Sequence, residues 1–141
     1  MAKIIPFPRR ANPTITELLQ EFLTEQHRRV KPPTGRKYER IVYLIMDSLD
    51  TFGPDDLPPA EKALYNRLFQ QGKMQFCDIF GPDKIISHYG LFFDHFLPHF
   101  GGCRPGLIRS ASTVTRRLAK WLAARDYVSV EELRQGLRGG T

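Results

Sequence analysis

Residues 82–97 read Pro-Asp-Lys-Ile-Ile-Ser-His-Tyr-Gly-Leu-Phe-Phe-Asp-His-Phe-Leu and form the most apolar stretch of this 141-residue chain. The Pro-Asp pair is typical of a helix start, because proline fits the first turn and an acidic side chain stabilises the positive end of a helix. Apolar side chains then surround the predicted helix on most sides: Ile85, Ile86, Tyr89, Leu91, Phe92, Phe93, Phe96 and Leu97. Since a helix that is apolar all round is buried, we expect it at the centre of the fold, ended or kinked by Pro98.

Capping patterns and apolar periodicity predict further helices on both sides of this one. Thr14 with Glu17, and Ser129 with Glu132, have the three-residue spacing of a capping box, in which two side chains satisfy free backbone donors. Apolar residues at helical spacing then predict helices over residues 14–28, 36–51, 59–71, 112–125 and 129–136. Alternation of period two is missing, so the sequence predicts an all-α, single-domain bundle of five or six helices.

Prolines, glycines and serines predict the boundaries between these helices. The segment 30–35 contains two prolines and is expected to separate the first two helices, and Gly53-Pro54 to end the second. Ser110 and Ser112 are the predicted caps of the fifth helix. In the third helix, we expect the core-facing side chains to be Leu64, Leu68 and Phe69.

The two ends of the chain are predicted to lie outside the helical domain. Residues 1–13 contain three prolines and several basic side chains, which indicates a flexible, disordered basic arm. Residues 137–141 include Gly139-Gly140 and are expected to form a frayed tail. The predicted domain therefore covers residues 14–136.

Composition excludes several classes of protein. Hydrophobic residues make up 41% of the chain, which is enough for a core. No apolar run approaches the roughly 18 residues that cross a bilayer, and the N-terminus has no signal-peptide pattern, so we expect a cytoplasmic protein without a membrane partner. Two cysteines allow at most one disulfide and exclude a four-cysteine zinc site.

The net charge of +6 conceals a segregation along the chain. Residues 1–40 hold nine basic and four acidic side chains, residues 41–100 four basic and eight acidic, and residues 101–141 eight basic and three acidic. If the two ends pack together, their positive charge forms one face that favours a polyanionic partner. Solvated helix faces without a partner are the alternative.

Residues that commonly carry catalysis or bind metals occur here without a complete motif. His88, His95 and His99 fall on one side of the predicted central helix, but Pro98 and several phenylalanines interrupt them and the glutamate of a zinc-protease motif is missing. Cys77 is predicted to be a small buried residue, and no base is identifiable beside Cys103. We therefore predict no enzyme activity, no catalytic residues, no cofactor and no metal site.

Basic residues at the starts and exposed sides of two helices give the strongest functional indication. Cations with nearby hydroxyl groups, here Thr34, Ser110, Ser112, Thr113 and Thr115, are the usual equipment for contacting phosphates. The predicted nucleic-acid-binding residues are Arg36, Lys37 and Arg40 of the second helix, Arg109 just before the fifth helix, and Thr113, Arg116, Arg117 and Lys120 within it.

Two short segments carry a resemblance to a known family. Residues 34–38 read Thr-Gly-Arg-Lys-Tyr and are followed by Ile41, Ile45 and Phe52, and residues 112–118 read Ser-Thr-Val-Thr-Arg-Arg-Leu and are followed by Trp121. Together they resemble the SAM-like core-binding domain found at the N-terminus of tyrosine recombinases, the phage integrases. The resemblance covers roughly residues 14–128 and implies that these two helices pack together and grip duplex DNA. The stretch 53–81 is longer than in such domains, and the family's catalytic domain has no counterpart here. Residues 80–85 and 113–122 also look like segments of uncharacterised small helical proteins of prokaryotes.

The sequence thus predicts a non-catalytic domain that binds nucleic acid, with duplex DNA as the expected ligand. A protein-interaction module is the alternative, in which aromatic side chains of residues 92–100 or the apolar residues 4–7 dock on another protein. A metal-binding protein that uses His95 and His99 is the third interpretation. The oligomeric state is left open.

Overall fold

Thr14 and Glu17 begin the first helix in the way that the sequence predicts. The Thr14 hydroxyl accepts a hydrogen bond from the backbone N–H of Glu17 at 3.2 Å, and the Glu17 carboxylate accepts one from the N–H of Thr14 at 3.0 Å. The fold is known from a computed structural model, which describes residues 13–72, 74–101 and 105–139, and their side chains except those of 100, 101 and 135–139.

Helices make up nearly all of the described residues, and no strand occurs among them, which confirms the all-α bundle. The α-helices in chain order are α1 (Ile15–Arg29), α2 (Pro32–Phe52), α3 (Pro59–Gln70), α4 (Phe76–Ile79), α5 (Asp83–Ser87), α6 (Tyr89–Leu91), α7 (Pro105–Ala124) and α8 (Val130–Gly139). A 3₁₀ turn covers Gly53–Asp56, and a π-helical segment covers Phe92–Gly101. The long helices α1, α2 and α7 pack side by side, with α2 contacting both of the others, and α8 closes over α5, α6 and α7.

The first two helices are separated as predicted, but by residues 30 and 31 alone and not by the whole segment 30–35. Lys31 is extended, as expected of a residue before proline, but it serves as the N-cap, and both prolines lie in the first turn of α2. The N–H groups of the first turn of a helix have no acceptor within the helix, so the prolines remove no helical hydrogen bond there. The N–H of Gly35 then donates to the Lys31 carbonyl at 3.0 Å, and the helix starts four residues earlier than predicted.

The predicted central helix is buried but not continuous. A turn at His88 separates α5 from α6, and the π-helical segment that follows contains Pro98, which neither ends the helix nor leaves it regular. Proline has no N–H for a helical bond, and a wider π-type turn accommodates that gap. Six of the eight expected core side chains are buried, whereas Leu91 and Phe93 are half-buried.

The third helix faces the core with a different side chain from those predicted. Within α3, Tyr65 is buried and stacks on Phe69 and against Phe76, with ring centroids 5.5 and 6.2 Å apart. Leu64 and Phe69, both expected in the core, are exposed, and Leu68 is half-buried. Helix α3 therefore lies at the edge of the bundle and presents apolar groups to solvent.

The fifth predicted helix begins earlier than its serines suggested. Helix α7 starts at Pro105, so Ser110 and Ser112 lie inside it and cap nothing. Its middle is fixed to the centre of the bundle by the buried Tyr89 hydroxyl, which donates to the Thr115 carbonyl at 2.8 Å. Ser129 caps α8 as predicted, accepting from the N–H of Glu132 at 3.0 Å.

The chain ends agree only in part with the predicted arm and tail. Residues 1–12 of the predicted arm lie outside the described residues, but Pro13 is buried against the domain. Helix α8 continues through the predicted stop at Gly136 to Gly139. Over the described ranges, the chain has no helix long and apolar enough to cross a membrane.

Candidate nucleic-acid interface

A stripe of polar side chains runs along the outer side of α7. Spacings of four, three, one and three residues place them on one side of the helix, opposite the buried side that includes Leu118 and Leu122. We call the following exposed residues the α7 stripe: Arg109, Thr113, Arg116, Arg117 and Lys120. The stripe carries four cations and one hydroxyl. The Thr113 hydroxyl donates a hydrogen bond to the Arg109 carbonyl at 3.1 Å.

The start of α2 borders the stripe on one side. A groove of about 350 Å³ separates the two helices, and its lining includes Thr34, Lys37 and Tyr38 from α2 with Arg109 and Thr113 from α7. The Arg117 guanidinium lies 5.9 Å from the centre of the Tyr38 ring, a cation–π contact between the helices. The second and fifth predicted helices therefore lie side by side, and of the three predicted cations of α2 only Lys37 faces the stripe.

Helix α1 borders the stripe on the other side, which the sequence did not predict. A second groove, which we call the α1–α7 groove, has a volume of about 700 Å³ and lies between α1 and the second half of α7. Its lining residues are Glu25, Gln26 and Arg29 of α1; Thr113, Arg116, Arg117, Lys120, Trp121 and Ala124 of α7; and Arg125, which follows α7. Among these side chains, five are cationic and Glu25 alone is acidic. The groove therefore extends the positive surface of α7 as far as α1.

A single carboxylate fixes the deep end of this groove. Oε2 of Glu25 accepts hydrogen bonds from Nε1 of Trp121, at 2.8 Å, and from the Arg125 guanidinium. That guanidinium lies 4.3 Å from the centre of the Trp121 ring. These contacts join α1 to the end of α7 and leave the Arg125 side chain about one-tenth exposed.

Not every predicted residue belongs to this surface. Arg36 and Arg40 are exposed with Tyr43 on the outer side of α2 and line neither groove. Thr115, expected to add a hydroxyl, is buried and donates to the Ala111 carbonyl at 2.7 Å. The structure thus brings together Lys37 and the α7 stripe, and adds Arg29, for which the sequence held no local signal.

The residues considered for a metal or a nucleophile are dispersed. His88 is buried with its Nε2 2.7 Å from the Ser48 hydroxyl, whereas His95 and His99 are exposed on the π-helical segment. In the described ranges, no three His, Cys, Asp or Glu side chains lie close enough to hold a metal ion. Cys77 is buried as predicted, and burial with the neighbouring Asp50 carboxylate raises the pKa of its thiol. Cys103 lies outside the described residues.

Comparisons with known proteins leave this geometry as the main guide to function. Protein-family models, curated proteins and solved structures all give no match to the chain.

Proposed function

We propose that the protein binds nucleic acid, with duplex DNA as the ligand, through the α7 stripe and Lys37. The observation that carries the proposal is the alignment of four exposed cations and a hydroxyl on one side of one helix. Side chains of these types make most of the phosphate contacts in protein–nucleic acid complexes. Among the described side chains of residues 41–100, the acidic middle of the sequence, none lines either groove beside the stripe.

The size of the stripe suits a phosphate backbone. From Arg109 to Lys120 the helix rises about 16 Å, at 1.5 Å per residue. Phosphates follow one another about every 3.4 Å along the axis for each strand of B-DNA, so the stripe spans about five of them. The resemblance of residues 34–38 and 112–118 to the core-binding domains of tyrosine recombinases favours duplex DNA over other nucleic acids.

The burial of aromatic side chains weakens the alternative hypothesis of a protein-interaction module. Phe92 and Phe96, two aromatic residues of the segment 92–100, are buried as the sequence predicts and stack on each other with ring centroids 5.9 Å apart. Phe93 is half-buried, and Phe100 is outside the described side chains. The positive surface is therefore the better basis for a function.

Fluorescence anisotropy of a labelled duplex of about two helical turns tests the proposal, with single-stranded DNA and RNA of the same sequence as competitors. We expect salt-sensitive binding and preference for the duplex. The double variant Arg116→Glu with Arg117→Glu should weaken duplex binding at least about 100-fold, because four units of charge change at the interface.

A matched control separates the stripe from the overall charge. Lys62→Glu with Arg67→Glu makes the same change of net charge on exposed positions of α3, outside both grooves. This control should bind within about fivefold of the unmodified protein. Absence of duplex binding at low salt, or equal losses in the two double variants, contradicts the proposed interface.

A further inference from the structure

The wall of the α1–α7 groove contains a polar side chain that folding alone does not explain. Gln26 is 1% exposed, and its Oε1 has no hydrogen-bond partner in the structure. Burying an amide oxygen without a donor costs free energy that an apolar side chain of the same shape would avoid. Gln26 nevertheless lines the most positively charged groove described here.

A second unpartnered polar atom lines the same groove. Arg125 is bound to Glu25 through its terminal nitrogen, but its Nε is buried and donates to no group in the structure. Two residues that line the groove therefore hold unpartnered polar atoms, an acceptor on Gln26 and a donor on Arg125, and both atoms are shielded from solvent. Buried polar atoms without partners call for a ligand, an ion or a water molecule.

The cations around these atoms indicate the charge of the ligand. Arg116 and Lys120 are exposed one turn apart at the same groove, a spacing suited to a phosphate. The groove is open to solvent, and its volume of about 700 Å³ leaves room for a ligand of nucleotide size. A phosphate joined to a planar group with both donors and acceptors matches this combination.

We propose that the α1–α7 groove binds an adenine nucleotide, with its phosphate on Arg116 and Lys120 and its base on the amide of Gln26. Adenine presents an N6 amino donor beside an N7 acceptor, the pattern that a glutamine amide pairs with through its oxygen and its N–H. The nucleotide is either free or an unpaired residue of a strand. Because Oε1 is shielded in the free protein, binding must be accompanied by a local movement of side chains.

The proposal rests on the proposed function only for the anion-binding role of α7, and its own test does not use duplex DNA. Trp121, the single tryptophan of the chain, lines the groove, so its fluorescence reports binding directly. The full chain is titrated with adenosine monophosphate, with inosine monophosphate, in which oxygen replaces the amino group, and with inorganic phosphate. We expect adenosine monophosphate to bind about tenfold more tightly than either competitor.

Gln26→Met removes the amide with little change of shape, and Gln20→Met makes the same change at an exposed position of α1. We expect the Gln26 variant to bind all three ligands with similar affinity, phosphate within twofold of its original value, and to melt at a higher temperature because an unpaired polar group is gone. The Gln20 variant should keep the tenfold preference. A glutamine with a purely structural role would instead lower the melting temperature when replaced.

If the unmodified protein binds the adenosine and inosine nucleotides equally, the groove does not take a free adenine nucleotide. If it takes an unpaired adenine of a strand, an oligonucleotide with one unpaired adenine binds about tenfold more tightly than its inosine counterpart, and Gln26→Met abolishes the difference. If neither format shows a preference, Gln26 holds no nucleotide, whereas duplex binding by the α7 stripe is judged separately by its charge-reversed variants.

Discussion

Acidification is expected to destabilise the fold through His88. His88 forms the turn between α5 and α6, and its buried ring faces α2, with Nε2 2.7 Å from the Ser48 hydroxyl. Burial lowers the pKa of His88 from its ordinary value of 6.5 to about 4, although the Asp56 carboxylate and a hydrogen bond with Ser48 act in the opposite direction. The folded protein therefore keeps this imidazole neutral at pH values where the unfolded chain protonates it.

The size and sign of the effect follow from that difference in pKa. Between pH 6.5 and pH 4 the unfolded state binds the extra proton and the folded state does not, so the free energy of unfolding falls as the pH falls. One pKa unit corresponds to 1.36 kcal/mol, which gives a loss of about 3 kcal/mol across this window. Above pH 6.5 and below pH 4, His88 contributes no further pH dependence.

Urea unfolding at pH 7, 6, 5 and 4, followed by far-UV circular dichroism, measures the loss. His88→Gln is the control, because its amide reaches toward Ser48 but does not titrate. Asp50, whose carboxyl pKa is raised mainly by burial, contributes a pH dependence of its own that is common to both proteins. The unmodified protein should lose about 3 kcal/mol more than the variant over this range. Equal losses in the two proteins would refute the reasoning.

Two substitutions with matched controls test the packing of the fold, one at the α1–α7 groove and one where α2 ends. Glu25→Ala leaves the largely buried guanidinium of Arg125 without its carboxylate and should lower the free energy of unfolding, measured in urea, by about 3 kcal/mol. Glu39→Ala removes an exposed carboxylate that lies 2.8 Å from the His27 ring and should cost less than about 1 kcal/mol. Similar losses in the two variants would show that the α1–α7 contact is superficial. Gly53→Ala places a methyl group 2.8 Å from the Phe76 ring and should lower the stability by about 1–3 kcal/mol. Gly106→Ala meets nothing within 4 Å and should raise stability slightly, so a loss there as large as at Gly53 would contradict the packing described.

Local signals in the sequence were sufficient for the type and the approximate position of the long helices, but not for the number of helices, since the described residues form eight α-helices where five or six were predicted. The capping residues Thr14 and Ser129 act within three residues of the helix start, so their effect is independent of the rest of the fold. Proline was misleading because its effect depends on position. At Pro32 it begins a helix, and at Pro98 it lies inside a π-helical segment that tertiary packing holds in place.

The site was predictable only where it follows a single helix. The α7 stripe is visible in the sequence as a periodic pattern of cations, and Lys37 as part of a basic cluster. The α1–α7 groove depends on contacts between Glu25 and Arg125, which are 100 residues apart in the chain. No periodicity within either helix indicates that pairing, which places Arg125 in the groove wall.

The dependence of duplex affinity on salt tests most directly whether the α7 stripe contacts phosphates. Each phosphate contact contributes about 0.9 to the slope of log K against log salt, since binding releases counterions. Replacing Arg116 and Lys120 together by alanine should therefore reduce the magnitude of the slope by about 2, as well as weakening binding. An unchanged slope in this double variant would show that these side chains do not contact the DNA backbone and would contradict the proposed function.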